Sequence, residues 1–230
     1  MIDNKDNICI LGIETSGLTS GVAVSVNDQL LAYMSLNRKN IHSRRLALMA
    51  DQVLEHANLK YDDINAIALS AGPGSFTGLR IGYSLAKGLA HAMHVPIIQV
   101  PTLDIWAYQQ GRSRLPVLSV IDAHRQEIFC GLYHWNDESL QRDEDYRLLA
   151  LQNLSGFLTR PTLIVGGDVP KLKEKIAEYD GAYAKFPYPM ITDPQNWALQ
   201  SLAYQKFLAG EISTAGECEP LYMRAFKGVM

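Results

Sequence analysis

Ile10-Leu-Gly-Ile-Glu14-Thr and Leu118-Ser-Val-Ile-Asp122-Ala carry one pattern twice, an apolar run closed by a carboxylate. In the first copy, Ile8 to Ile13 is apolar and Gly21 to Val26 alternates around small and branched residues. Gln29 to Leu36 follows a two-residue Asn27-Asp28 turn. These segments predict three strands, the last two a hairpin. From Asn40 the period becomes helical, because Leu46, Met49, Ala50, Val53, Leu54 and Ala57 share one face of a helix ending near Asn58. Ile64 to Ser70 then reads as a buried strand and Phe76 to Met93 as a second helix.

The second copy resumes after a connection around Pro96 to Gly111, and the halves are expected to meet near Thr102 to Arg114. Pro116 to Ile121, Glu127 to His134 and Tyr146 to Leu151 are its predicted strands. Leu154 to Leu158 is a short helix, Thr162 to Val165 a strand, and Pro170 to Tyr179 a helix opening at Asp168. Asp193-Pro194, a cap followed by proline at the first helical position, predicts a helix over Trp197 to Leu208 stopped at Gly210, with Glu219 to Phe226 as a tail. The expected fold class is α/β, two small βββαβα halves at 1–103 and 104–230, with Glu14 and Asp122 at equivalent places near a cleft. Duplicated halves of this order resemble the actin, hexokinase and acetate kinase (actin-like) superfamily. There the first hairpin of each half faces the phosphates of ATP.

Composition narrows the function. Hydrophobic residues at 47% and charged residues at 20% place the chain among folded globular proteins. The formal net charge is -3, from 21 basic and 24 acidic side chains, so no global field draws it to a polyanion. The densest basic run, Arg38, Lys39, Arg44 and Arg45, reads as a solvated loop and helix start. Cys9, Cys130 and Cys218 are odd in number and show no CxxC spacing, against a disulfide framework or zinc site and for a reducing cytoplasm. The polar stretch Met1 to Asn7 lacks the pattern of a signal peptide, and no apolar run reaches membrane-span length.

Gly72-Pro-Gly74-Ser75-Phe-Thr-Gly78 lies between a predicted strand and helix, where free amides and the helix dipole favour an anion. Its spacing is neither GxGxxG nor a Walker loop. Gly12-Ile-Glu-Thr-Ser-Gly17 has P-loop glycine spacing, but Leu18 stands where lysine would be. The actin-like turn is usually Asp-x-Gly-Thr, and Glu14 and Ser16 depart from it here. Glu14, Thr15, Ser16, Gly72, Gly74, Ser75 and Asp122 therefore form a candidate phosphate-side loop without evident hydrolytic equipment. The helix after the glycines has small residues four apart, Gly78, Gly82, Ala86 and Ala90. Tight packing on its own sheet and an intermolecular helix contact both explain them.

No catalytic residue emerges. A GxSxG elbow is absent, and Asp122 with Glu127 is a carboxylate pair of unread separation. His42 has no histidine four residues on, and His91 with His94 suits a helix end as well as a metal.

Three stretches together resemble the TsaB family, also called YeaZ. They are Ile10-Leu-Gly-Ile-Glu-Thr-Ser, Gly72-Pro-Gly-Ser-Phe-Thr-Gly-Leu-Arg80-Ile-Gly82, and Ile121-Asp-Ala-His-Arg-Gln-Glu127-Ile-Phe, with Pro220-Leu-Tyr222-Met-Arg224 as the ending. The resemblance implies a non-catalytic subunit of the complex that places threonylcarbamoyl on adenosine in tRNA. It would act beside a catalytic paralogue of TsaD type, which carries an HxxxH metal pair, and a TsaE-type ATPase. It implies no cofactor of this chain's own, ATP and metal arriving through those partners, and only indirect contact with tRNA. It also implies docking through the two helices of the first half, proposed at Leu46, Met49, Ala50 and Val53 with Gly78, Gly82 and Ala86, and a homodimer when alone. The alternatives are a free-standing ATPase or kinase of the same fold, or a glycoprotease-like peptidase.

Overall fold

The apolar run at the head of the chain becomes β1 (Cys9–Glu14), the middle strand of a sheet in a computed structural model that describes residues 7–37 and 43–223. Arg38, Lys39, His42 and Arg224 lie outside the described residues. β2 (Thr19–Val26) and β3 (Gln29–Asn37) continue β1 as an antiparallel meander turning at Asn27-Asp28. β4 (Ala66–Ser70) joins the other edge of β1 in parallel, and β5 (Ile97–Val100) joins β4. The sheet order is β3-β2-β1-β4-β5.

Alternation along β1 and β2 assigns the two faces of this sheet. Cys9, Leu11 and Ile13 of β1 and Val22, Val24 and Val26 of β2 enter one core. That core also contains residues of α1 (Ser43–His56) and α2 (Phe76–Met93). Leu46, Met49, Ala50 and Val53 are among them, as are Tyr83, Ala86 and Ala90. This corrects the proposed docking residues. Leu46, Met49, Ala50, Val53, Gly82 and Ala86 are buried inside their own unit, because an apolar stripe beside an apolar sheet face is covered first by that sheet.

The opposite face is covered by a helix that chain order had placed with the second half. α3 (Thr102–Gln109) and α4 (Leu154–Phe157) are followed by α5 (Val169–Asp180) and α6 (Asn196–Leu208). α6 packs on β1, β2 and β5 of the first sheet. Gln200 Nε2 donates to Ala23 O at 2.8 Å and to Ile10 O at 3.3 Å, while Ser25 Oγ donates to Gln200 Oε1 at 3.0 Å. A Cβ at Gly12 would sit 2.8 Å from Gln200 Nε2, and one at Gly21 2.6 Å from Asn196 Nδ2. Gly12, the first glycine of the P-loop-like spacing, and Gly21 therefore admit α6, whereas a Cβ at Gly17 would meet Pro194 Cδ at 3.3 Å. The first unit comprises the chain up to Ile105 with Pro194–Pro220, and the second comprises Trp106–Asp193.

In the second unit β6 (Val117–His124) and β7 (Glu127–Trp135) form the antiparallel pair that β1 and β2 form in the first. β8 (Leu140–Arg142) and β9 (Arg147–Ala150) both pair with β7 and together replace a single third strand. β10 (Thr162–Val165) joins β6 in parallel, and β11 (Ala184–Lys185) joins β10. The order β11-β10-β6-β7-β8 repeats the first sheet with the same strand senses. The fold is therefore a duplicated α/β arrangement of actin-like type. Leu118, Val120, Ile128, Cys130 and Ile164 meet Leu172 and Ile176 of α5 in this unit's core.

Candidate functional site

The turn after β1 is closed by its own side chains. Ser16 N–H and Ser16 Oγ both donate to Glu14 Oε1 at 2.6 Å, and Thr15 N–H donates to Ser70 Oγ at 3.2 Å. Across from it, Ser75 caps α2 by accepting from Gly78 N at 3.2 Å, and Ser75 N–H donates to Ser16 O at 2.7 Å. Two amides at the predicted anion site thus bond the chain's own oxygens. Gly72, at φ 97°, occupies a backbone region that side chains disfavour, and its carbonyl accepts from Thr102 N at 2.9 Å.

The glycines record how close the turn and helix come. A Cβ at Gly74 would lie 2.5 Å from Ser16 O, one at Gly78 2.2 Å from Thr15 O, and one at Gly82 2.3 Å from Thr15 Oγ1. The two glycines of the small stripe, Gly78 and Gly82, are thus accounted for by Thr15, and Ala86 and Ala90 by the core of their own unit. Sequence reading missed Thr15 as the neighbour of those glycines, and missed Ser70 as the turn's anchor.

Glu14 is 1% exposed and its Oε2 has no hydrogen-bond partner. Burial raises its carboxyl above the ordinary carboxylate range, opposed by the Ser16 hydrogen bonds and the Ser70 hydroxyl. A raised folded pKa means that native and unfolded chains are both protonated at low pH. Stability then falls as pH rises past the unfolded value of about 4.3 toward the folded pKa. Glu14→Gln, which cannot ionise, is expected to flatten that decline. Wild type should gain on the variant as pH drops from 7 to 4 in urea melts, and parallel pH profiles would refute a raised Glu14 pKa.

Asp122, the topological counterpart of Glu14, lies in the second unit. Its Oδ1 accepts from His124 N at 2.8 Å, and its own N–H donates to Asp168 Oδ2 at 3.2 Å. Asp168 Oδ1 is 3.4 Å from Lys171 Nζ. The structure thus gathers Glu14, Thr15, Ser16, Gly74 and Ser75 into one knot, with Gly72 in the same loop, and sets Asp122 in a separate turn. Among the described residues no group of three or more His, Cys, Asp or Glu side chains is arranged to hold a metal. No helix of the described residues is long and apolar enough to cross a membrane.

A family model described as TsaD, tRNA N6-adenosine threonylcarbamoyltransferase, matches residues 31–216. The tRNA threonylcarbamoyladenosine biosynthesis protein TsaB of Escherichia coli K12 is 34% identical over 227 residues, 94% of each chain. The protein of that name from Bacillus subtilis 168 is 33% identical over 177 residues, covering 75% of this chain and 76% of its own. The solved structure of YeaZ from Pseudomonas aeruginosa superposes with a TM-score of 0.80 at 25% identity, covering 94% of this chain and 99% of that one. By sequence and by fold, the chain belongs to the TsaB family of tRNA threonylcarbamoyladenosine biosynthesis proteins, related to TsaD.

Proposed function

We propose that this chain is an accessory subunit without catalysis of its own, which docks a TsaD-like catalytic subunit on the outward face of α1 and α2. A TsaE-like ATPase and tRNA complete the assembly, and ATP and metal enter through those partners. Gly88 carries the reading. It lies inside α2, where glycine costs about 1 kcal/mol relative to alanine. Unlike Gly78 and Gly82, a Cβ there would meet nothing within 4 Å of its own chain. The close approach that favours glycine at this position comes from another molecule. Ser84 and Ala92, one turn away on either side, are exposed as well, and Leu48 of α1 is 53% exposed. A ridge of small side chains beside apolar ones suits close helix packing. In the absence of the partner, a second copy covers the same face.

Against a free-standing ATPase stands the turn after β1, where Ser16 bonds a buried Glu14. Gly88→Leu is expected to leave thermal unfolding near wild type while weakening affinity for the TsaD-like subunit at least about tenfold, roughly 1.4 kcal/mol. Gly88→Ala should stabilise the free chain by about 1 kcal/mol. Affinity unchanged in both Gly88→Leu and Leu48→Asp, measured by calorimetry on folded protein, would place the partner elsewhere.

A further inference from the structure

After α6 ends at Leu208 the chain returns along the edge of β5 as a strap fastened at both ends. At one end Ser213 and Ile97 exchange two backbone hydrogen bonds, each of 2.8 Å. At the other, Glu219 O accepts from Gln99 Nε2 at 2.7 Å and from Tyr83 OH at 3.0 Å, and Cys218 is fully buried in the core of the first unit. Between these fastenings Cys218 N–H donates to Thr214 O at 3.1 Å, which closes the strap into an arch. A pinned arch does not settle onto the surface beside it. A cavity of about 410 Å³, open to solvent, is lined by the arch and by the last turn of α2. That volume is in the range of clefts that hold small ligands.

The charge around this cavity has one sign. Val95, Pro96 and Ile212 give it apolar walls, and Glu217 is the one carboxylate among its lining residues, which include neither lysine nor arginine. Lys87 acts on the Cys218 thiol without lining the cavity. Glu217 Oε2 accepts from Thr214 Oγ1 at 2.8 Å and from Thr214 N–H at 3.2 Å. Those bonds hold its carboxyl below the ordinary carboxylate range and leave Oε1 for another donor. The end of α2 adds to the same sign. Val95 N–H donates to Ala90 O at 3.1 Å, Ile97 N–H donates to Ser213 O, and Pro96 has no N–H. The three positions that would continue the helix ladder therefore give nothing to the carbonyls of His91, Ala92 and Met93. The negative end of an 18-residue helix dipole keeps those acceptors for solvent or a ligand.

The structure assigns this cavity to an organic cation, an aliphatic amine or guanidine on a short apolar stem. The Glu217 carboxylate and the end of α2 attract the charged head, and the stem lies against Val95, Pro96 and Ile212. His91 and His94, whose rings meet edge to face with centroids 6.4 Å apart, add ring-nitrogen acceptors. Walls already pinned by the strap lower the ordering entropy lost on binding. A bare metal ion fits less well, because the described residues bring no three metal-ligating side chains together. An anion finds neither lysine nor arginine in the lining. Nothing in this assignment depends on the docking of a TsaD-like subunit.

The test uses the free chain, so that failure to bind a TsaD-like subunit leaves it intact. Methyl resonances of Ile212 and Ala215 and ring resonances of His91 and His94 are followed by NMR at about pH 8, where imidazole ordinarily offers an acceptor. Agmatine, spermidine and, as an anion of similar length, glutarate are added in separate titrations. At least one of the two amines should move these resonances with a dissociation constant on the order of 1 mM or tighter, and salt should weaken it. Glutarate should leave them in place, a comparison that needs no variant. Glu217→Gln should lose amine affinity at least about threefold, and Glu217→Lys should lose more. Glu217 is exposed, so both variants should melt near wild type. Glu174→Gln, which removes a negative charge from α5 of the second unit, should bind as wild type does. Resonances unmoved by both amines, glutarate binding as well as they do, or equal amine affinity in wild type and Glu217→Gln would overturn the assignment. An equal loss in Glu174→Gln would do so as well, since net charge alone would then explain the binding.

Discussion

Gly78→Ala is expected to destabilise the first unit by about 3 kcal/mol or more, enough to move a denaturant midpoint far outside experimental error. The added Cβ would be built 2.2 Å from the carbonyl oxygen of Thr15, a backbone atom that no rotamer change removes. Either the 14–16 turn lifts from α2, or the helix start moves. The first breaks Ser75 N–H to Ser16 O, and the second endangers the Ser75 cap on Gly78 N. Helix propensity pulls the opposite way by about 1 kcal/mol, so the measured loss is a lower bound on the steric and hydrogen-bond cost. Gly88→Ala is the control, with the same chemical change in the same helix but open space around the new methyl. Opposite signs for the two substitutions are the expected result. Equal small effects would mean that the turn yields readily, and the knot of Glu14, Ser16 and Ser75 would lose its claim to rigidity.

That pair also shows where sequence reading stops. The periodicity beginning at Leu46 and the small residues from Gly78 were legible as faces of two helices, and the two carboxylate-closed runs were legible as a duplication. Both rest on spacing along one chain. What the spacing could not supply was the identity of the neighbour. The stripe of α1 meets the sheet of its own unit, Gly78 and Gly82 meet Thr15, and of the three glycines of α2 only Gly88 has open space where a Cβ would stand. An alternating or helical pattern reports that one face is apolar or bare, and a sheet one strand away competes for that face before any partner does.

Short elements escaped for a different reason. β5, four residues between Pro96 and Pro101, and β8, three residues with polar side chains at Gln141 and Arg142, are too brief for a period to register. They are specified by their neighbours, β4 and β7, which offer free edges. The β6–β7 turn at Arg125 was quoted within a motif, yet its left-handed backbone, φ 62°, 55° and 62° at His124, Arg125 and Gln126, could not be read from residues that ordinarily avoid it. In the candidate site, Glu14 and Ser16 were found by their departure from a known pattern, and Ser75 by its place in the glycine-rich stretch between a strand and a helix. Ser70, which accepts from Thr15 N–H, has no signal in sequence beyond ending a strand.

α6 is the largest departure from chain order, and its attachment supplies the other large expected effect. Gln200→Leu should cost about 3 kcal/mol although it exchanges a polar residue for an apolar one of similar size in a buried place. Gln200 is 2% exposed and Ser25, its partner 175 residues away, is fully buried. Leucine would strand the Ser25 hydroxyl and remove the donor from Ala23 O and Ile10 O, and each buried group left without a partner costs about 1 to 3 kcal/mol. The branched side chain must also fit beside Gly12, where the present side chain already stands 2.8 Å from the built Cβ position. Ser25→Ala removes one of the stranded groups, so the double variant should be more stable than the sum of the two single losses predicts, by about 1 kcal/mol. Equilibrium unfolding in urea of the four proteins measures this coupling. If Gln200→Leu proves neutral, the amide clamp is dispensable and the apolar contacts of Ala198, Leu199 and Ala203 hold α6 without it. If it is costly but strictly additive with Ser25→Ala, the loss comes from shape rather than from the hydrogen bonds. Positive coupling alone supports the view that Gly12 and Gly21 persist to let two side-chain amides reach the back of the first sheet, and not to approach a phosphate.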